Sequence, residues 1–279
     1  MSALQSRDLV VGYDRVVIPE LSVSLPEGKI TAIVGANGCG KSTILKAFSR
    51  ILFPFSGEVL LGADIVHSLP SRKLAQRLSI LPQASQAPES LTVRELVSYG
   101  RFPHRRWLRG AHPDDAAMVQ WALQVTGVEE LAERPINSLS GGQQQRAWIA
   151  MTLAQGADVL LLDEPTSHLD TCHQLEVMEL LAQLNRTEGK TIIMVLHDLN
   201  LAARYAHHML AIKDGRIAAA GSPNEVMTEH ILHSVFGIRA HVLSDPITHS
   251  PMCVAYLDKT TAVLPPSPMN AFAAGMPAA

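Results

Sequence analysis

Cysteine is scarce in this chain of 279 residues. The three present, Cys39, Cys172 and Cys253, are odd in number and far apart. That excludes a disulfide framework and suits a reducing compartment. Aromatic residues are also few, at 5%, although hydrophobic residues make up 47%, an ordinary composition for a soluble protein. Long apolar runs are missing: the longest resemble "DVLLLD" and "TIIMVL", far short of the roughly 20 residues that span a bilayer. The N-terminus has neither a basic n-region nor an apolar h-region, so no secretory signal is expected. Charge of one sign is lacking too. A net charge of −3 gives no general positive field for nucleic acid. The twelve histidines show no metal-ligand spacing, and His207-His208 reads as helix-end surface. What remains is one large domain, or a domain with a sub-domain, around a real core.

The pattern along the chain is informative. Short strands fill the first sixty residues, with Pro26-Glu27-Gly28-Lys29 as a turn. Ile30–Val34 is a continuous apolar run, which suits a strand buried on both faces. "GANGCGKST" follows, then a helix to about Ser49 and strand character in "SGEVLLGADI". From Ser71 to about Ala132 the pattern is mainly helical, interrupted by "LSILPQ". Thr92 and Glu95 form a capping box, and Pro113-Asp114-Asp115 opens a helix. Further expected elements are a strand at Val159–Leu162, a helix at Asp170–Asn185, a strand at Thr191–Leu196, a helix from Leu199 and a hairpin on Asp214-Gly215. Buried strands alternating with helices predict an α/β fold with a parallel sheet, whose ligands bind at the C-terminal strand ends. No internal repeat is visible.

Three strands end in chemically loaded residues. Gly35-Ala36-Asn37-Gly38-Cys39-Gly40-Lys41-Ser42 fits G-x-x-x-x-G-K-[ST]. Its glycines let backbone N–H groups turn inward around phosphate oxygens, and the next helix adds its positive N-terminus. Lys41 reaches β- and γ-phosphates in this reading, and Ser42 holds Mg²⁺. Cys39 lies near a helix N-terminus and Lys41, so its thiol pKa is expected to fall. Asp163 and Glu164 close the second strand. Asp163 is placed to hold Mg²⁺, and Glu164 to accept a proton from an attacking water. A kinase also uses such a phosphate loop, but a hydrolytic Glu beside the Mg²⁺ Asp favours an NTPase. No N-K-x-D guanine-reading motif is present. His197 ends the third strand, where it could sense or stabilise a γ-phosphate. Gln83, after "LSILP", is an amide that could position water or Mg²⁺.

"LSGGQQQR" poses a separate problem. Ser140 and Gln143 form an S-x-x-Q capping box. Gly141 and Gly142 serve no such purpose and together disfavour the first turn by roughly 1–2 kcal/mol relative to alanine. Their presence predicts that another group approaches the backbone there. A bare helix N-terminus is an anion site, so the chain has two phosphate-binding elements for one nucleotide loop. They meet within a chain or pair between chains.

These motifs resemble those of the ATP-binding cassette (ABC) ATPases over about residues 4–240. Six elements occur in order: Tyr13; the Walker A loop Gly35–Ser42, with Thr43; Gln83; the LSGGQ signature at Ser140, Gly141, Gly142 and Gln143; Walker B, "LLLDEP", with Asp163 and Glu164; and His197. The resemblance implies an α/β P-loop NTPase (RecA-like) core with an N-terminal antiparallel β subdomain and an inserted α-helical subdomain at about 88–155. It also implies an ATPase domain at 1–240, followed by a C-terminal strand extension at 241–264, while the composition of "PPSPMNAFAAGMPAA" predicts a disordered tail at 265–279. It places adenine on Tyr13 and puts Ser140–Gly142 on the γ-phosphate of ATP bound to a second copy, in a head-to-tail homodimer. Ser167-His168-Leu169-Asp170 resembles the D-loop that crosses that interface, with His168 where alanine is more usual. The cofactors implied are ATP and Mg²⁺.

No heptad insertion or second cassette points to chromosome maintenance or translation. The resemblance therefore implies a transporter ATPase at the cytoplasmic face of the inner (plasma) membrane. Its partners would be integral membrane permease subunits and, indirectly, a periplasmic or lipid-anchored substrate-binding protein, with no nucleic acid. "GRFPH" and, over about fifty residues, "SHLDTCHQLEVMELLAQLNRTEGKTIIMVLHDLNLAARYAHHMLAIKDGRI" resemble segments of ferric-siderophore importers. Haem and vitamin B12 importers are the main alternatives, and an exporter or a non-transport ABC ATPase comes after them. The basic run of Arg101, Arg105, Arg106 and Arg109 reads either as a solvated loop or as a contact with permease or lipid head groups.

Overall fold

The structure is a computed structural model that describes residues 2–83, 88, 90–105, 113–167 and 169–256. His168, Arg106, Arg109 and the expected tail at 265–279 lie outside the described residues.

Strands β1 (Ser2–Gly12) and β2 (Val16–Pro26) pair antiparallel. β3 (Ile30–Gly35) follows the expected turn, and α1 (Lys41–Phe48) follows the glycine-rich loop. β4 (Ser56–Leu61) and the two-residue β5 (Asp64–Ile65) complete an antiparallel sheet of order β2-β1-β4-β5. Next come α2 (Ser71–Arg77), β6 (Leu78–Leu81), α3 (Val93–Tyr99), α4 (Pro113–Val125) and α5 (Gly141–Ala154). Both predicted capping boxes, Thr92–Glu95 on α3 and Ser140–Gln143 on α5, are formed.

The chain then alternates as predicted: β7 (Val159–Asp163), α6 (Thr171–Glu188), β8 (Thr191–Val195), α7 (Leu199–Tyr205) and β9 (His208–Lys213). β10 (Arg216–Gly221) returns from the Asp214-Gly215 turn. Two short helices, α8 (Pro223–Val226) and α9 (Glu229–Phe236), precede the hairpin of β11 (Arg239–Ser244) and β12 (Pro251–Tyr256). Asn200 pins that hairpin to α7: its amide donates to the Cys253 carbonyl at 3.2 Å and accepts from the Cys253 N–H at 2.8 Å.

The main sheet has the order β10-β9-β3-β8-β7-β6, parallel except for the β9–β10 pair. Its central strands are buried along their whole length, and alternate residues feed two cores. Ala32, Leu160, Leu162, Ile192 and Met194 pack with residues of α3 to α7. Ile33, Leu161, Ile193 and Val195 pack with α1 and the antiparallel sheet. This two-faced burial explains the uninterrupted apolar runs seen in the sequence. The neighbours β3, β8, β7 and β6 all point their C-terminal ends the same way, so the loops after them converge on one edge.

Candidate nucleotide site

The loop after β3 is shaped by close approach. A Cβ on Gly35 would lie 2.4 Å from the Ile212 carbonyl oxygen and 2.7 Å from Cys39 Sγ. Gly40 caps α1 with φ 104°, a left-handed backbone, and no side chain caps that helix end. Lys41 is only 5% exposed. Its ammonium donates to the carbonyls of Gly35 (2.9 Å) and Ala36 (3.0 Å).

Three further strand ends supply the rest. Ser42 Oγ donates to Asp163 Oδ1 at 2.9 Å, joining α1 to the end of β7. Burial pushes the Asp163 carboxyl up, the Ser42 hydroxyl opposes this, and the neighbouring Glu164 charge adds to the rise. Glu164 follows with φ 54°, a left-handed conformation that costs a non-glycine residue about 1 kcal/mol or more. Its carboxylate is held by three donors from three loops. Gln83 Nε2, after β6, and Ser167 Oγ each lie 2.7 Å from Oε2. His197 Nε2, after β8, lies 2.5 Å from Oε1. Burial alone would raise the Glu164 carboxyl, but the hydrogen bonds from Ser167, His197 and Gln83 outweigh it and hold it below the ordinary range. Asn37, Gly38, Gly40, Lys41, Ser42, Thr43, Gln83, Glu164 and His197 line one cleft, together with Val17. Ala36 and Cys39 border a second depression on the other flank of the loop, with Asn37, Gly38 and Arg15.

Several expectations need correction. Cys39 is buried, and burial pushes its thiol up; the Lys41 charge and backbone hydrogen bonds pull the other way but do not prevail. Of the His207-His208 pair, His207 is exposed just beyond the end of α7, as expected, with its Nδ1 accepting the Ile30 N–H at 3.1 Å, whereas His208 is partly buried and begins β9. Arg101 is not part of a solvated basic loop. It is 6% exposed, donates to Asp115 at 2.8 Å and holds the Ala154 carbonyl at 2.7 Å.

The signature residues do not line the cleft. Ser140, Gly141, Gly142 and Gln143 open α5, and Asp170 caps α6 by accepting the His173 N–H at 3.0 Å. A Cβ on Gly142 would lie 2.6 Å from His173 Cδ2, whereas one on Gly141 meets nothing within 4 Å. The close approach predicted at this double glycine is therefore internal at Gly142, and Gly141 alone faces open space. Tyr13 stands half-exposed, its hydroxyl 3.2 Å from the Lys46 ammonium. Ser167 was named only as part of the D-loop resemblance, and His173 and Lys46 were not singled out from the sequence. The first two sit three residues after Glu164 and Asp170, a spacing that turns and helix caps commonly bridge.

Comparison with known proteins decides the family. Residues 18–167 match the model of the ABC transporter family. This chain belongs to that family. Membership makes it an ATP-binding, ATP-hydrolysing cassette. It is 51% identical to the iron(3+)-hydroxamate import ATP-binding protein of Bacillus subtilis, over 92% of this chain and 96% of that one. The cobalamin import ATP-binding protein of Halobacterium salinarum is more distant, at 38% identity over 88% of this chain and 61% of that one. Among solved structures, the cassette resembles an inward-facing putative metal-chelate type ABC transporter, with TM-score 0.80 and 27% identity over 92% of this chain and 98% of the other. It also resembles a dimeric ATP-binding cassette in a post-hydrolysis state bound to ADP and Pi, with TM-score 0.69 and 28% identity over 78% and 98% of the two chains. Among the described residues of the cassette, no helix is long and apolar enough to cross a membrane.

Proposed function

We propose that this cassette energises the import of ferric siderophores, working as a head-to-tail pair bound to permease subunits at the cytoplasmic face of the inner membrane. The domain reading is an ATPase unit at 1–240, with helical subdomain at about 88–155, and a strand extension from 241. The carrying observation is the Glu164 carboxylate, fixed by Gln83, Ser167 and His197 beside the Ser42–Asp163 pair.

The residues fit Mg²⁺. Ser42 and Asp163 offer two hard oxygen donors at adjoining element ends, beside a loop whose Lys41 ammonium holds the Gly35 and Ala36 carbonyls. When bound, Mg²⁺ supplies charge neutralisation on the phosphates. The residues of the chain do the rest. Lys41 exchanges its two loop carbonyls for phosphate oxygens, while the backbone N–H groups of 35–43 surround them. Tyr13 offers an exposed ring to adenine. Gln83 and His197 aim the Glu164 carboxylate, which stays ionised at neutral pH and takes the proton of the attacking water. Ser140–Gly142, with Gln143 closing the cap and Asp170 in the D-loop, face the γ-phosphate held by the second copy.

The cargo reading rests on the iron(3+)-hydroxamate relative being more similar than the cobalamin one. Uptake by cells lacking this chain tests it. Labelled ferric siderophores, haem and cobalamin are offered with a wild-type or Glu164→Gln copy. Loss of one ferric siderophore, restored only by wild type, is expected. Selective loss of haem or cobalamin would replace the reading, and normal entry of all three would end it.

A further inference from the structure

Two helices begin at the motifs that this reading turns toward the second copy, and one side chain joins them. α5 starts at the signature and α6 starts at Asp170. His173, in the first turn of α6, lies against the signature helix so closely that any Cβ at 142 would overlap its ring. The same ring donates from Nδ1 to Asp170 Oδ1 at 2.8 Å, the oxygen that also accepts the His173 N–H. One turn further along, Arg146 of α5 meets Glu176 of α6 at 3.3 Å. The N-terminal turns of the two helices are therefore braced at two levels, and His173 is the brace next to the motifs.

The brace also reaches the hydrolytic residue. Gln174 Nε2 donates to the Thr166 and Leu169 carbonyls at 3.4 and 3.1 Å, tying the segment before Asp170 to α6. Ser167 in that segment holds Glu164 at 2.7 Å. Glu164 is thus linked to Gly142 by the Ser167, Gln174 and His173 contacts together with the short backbone steps that join them.

We infer that His173 is a positioning residue: it sets the signature turn in register with Asp170, so that docking on the second copy's nucleotide is linked to the Glu164 site of its own chain. The inference rests on the head-to-tail reading above. Nδ1 supplies the polar link to the D-loop, and Cδ2 fills the space that Gly142 leaves open.

The test uses the full chain in the Glu164→Gln background, which holds ATP without turning it over. Pairing is titrated with ATP by size exclusion, and single-copy affinity is measured with mant-ADP. His173→Ala is expected to raise the ATP needed for pairing about tenfold, the scale of one charge-assisted hydrogen bond, with mant-ADP affinity unchanged. His173→Asn, whose amide puts a donor near the Nδ1 position and an atom near Cδ2, restores pairing. His173→Leu fills the space without the donor and does not. Normal pairing in His173→Ala overturns the inference, as does full rescue by leucine or a parallel fall in mant-ADP affinity. If the Glu164→Gln parent binds mant-ADP yet never pairs, the head-to-tail reading itself fails, and that outcome is distinct from the others.

Discussion

The two helix N-termini assigned to phosphate are built in opposite ways. α1 begins at a left-handed Gly40 with no side-chain cap, and its buried lysine donates to the loop carbonyls of Gly35 and Ala36. α5 begins with a closed box in which Ser140 and Gln143 bind each other's backbone N–H groups at 3.4 and 3.1 Å. In the proposed reading the first end takes a ligand bound to its own chain. The second is already capped, with two backbone donors spent internally, and offers a preformed surface at Gly141. An uncapped end suits a group that must wrap phosphate, whereas a capped end suits one that docks as a unit. The difference explains how one chain carries two anion-facing elements that share no cleft.

The comparison is broken most strongly at the centre of the open site. Glu164→Gln keeps the shape but removes the proton acceptor, so ATPase activity is expected to fall by about 10²-fold or more while ATP binding persists. Steady-state turnover and equilibrium binding, measured side by side, check this. Half the wild-type rate in the variant would refute the base assignment. Lys41→Ala acts on binding instead. It removes the buried ammonium, and nucleotide affinity is expected to fall by about tenfold or more, the loss of a charge-assisted contact. Unchanged affinity in a titration with labelled ATP would refute the phosphate-loop role.

The open end was legible in the sequence because its logic is local. The glycine spacing, the lysine and the strand before them lie within fifteen residues or so, and the apolar runs of β3, β7 and β8 fix which ends meet. The capped end was legible only in part. Its capping box is local and was visible, but the reason for Gly142 is His173, thirty-one positions away on another helix. The same limit applies elsewhere. Cys39 has a basic local context, yet tertiary burial prevails over it. Arg101 sits in a basic run, yet it is buried by Asp115 and Ala154 from two other helices. Where a residue's environment comes from distant elements, its neighbours in sequence mislead.

Alanine at the two signature glycines sharpens the contrast. Gly142→Ala forces its Cβ into the His173 ring, an overpacking that typically costs about 1–3 kcal/mol, so a lower Tm is expected. Adding His173→Ala removes the clash and should recover that Tm. Gly141→Ala has open space and gains helix propensity, so its Tm is expected to stay level or rise slightly, with any loss confined to ATP-dependent pairing. Equal Tm values for the two single variants would remove the internal explanation of Gly142.

The smallest effect tests the electrostatics of the open end. Cys39 lies at the start of a helix and two residues from Lys41, which on charge alone lowers a thiol pKa. Its burial prevails and raises it above the usual 9.0. The thiolate is the reactive form, so a raised pKa leaves less of it at neutral pH. Labelling of Cys39 by iodoacetamide is therefore expected to be slow at pH 7.5, slower than at the exposed Cys172, and to keep rising past pH 9 as the proton is lost. Peptide mass spectrometry over that range gives both rates in one sample. Fast labelling of Cys39 at neutral pH that levels off well below pH 9 would mean that the helix end and Lys41 outweigh burial, and the open end would then carry a stronger positive field than its geometry implies.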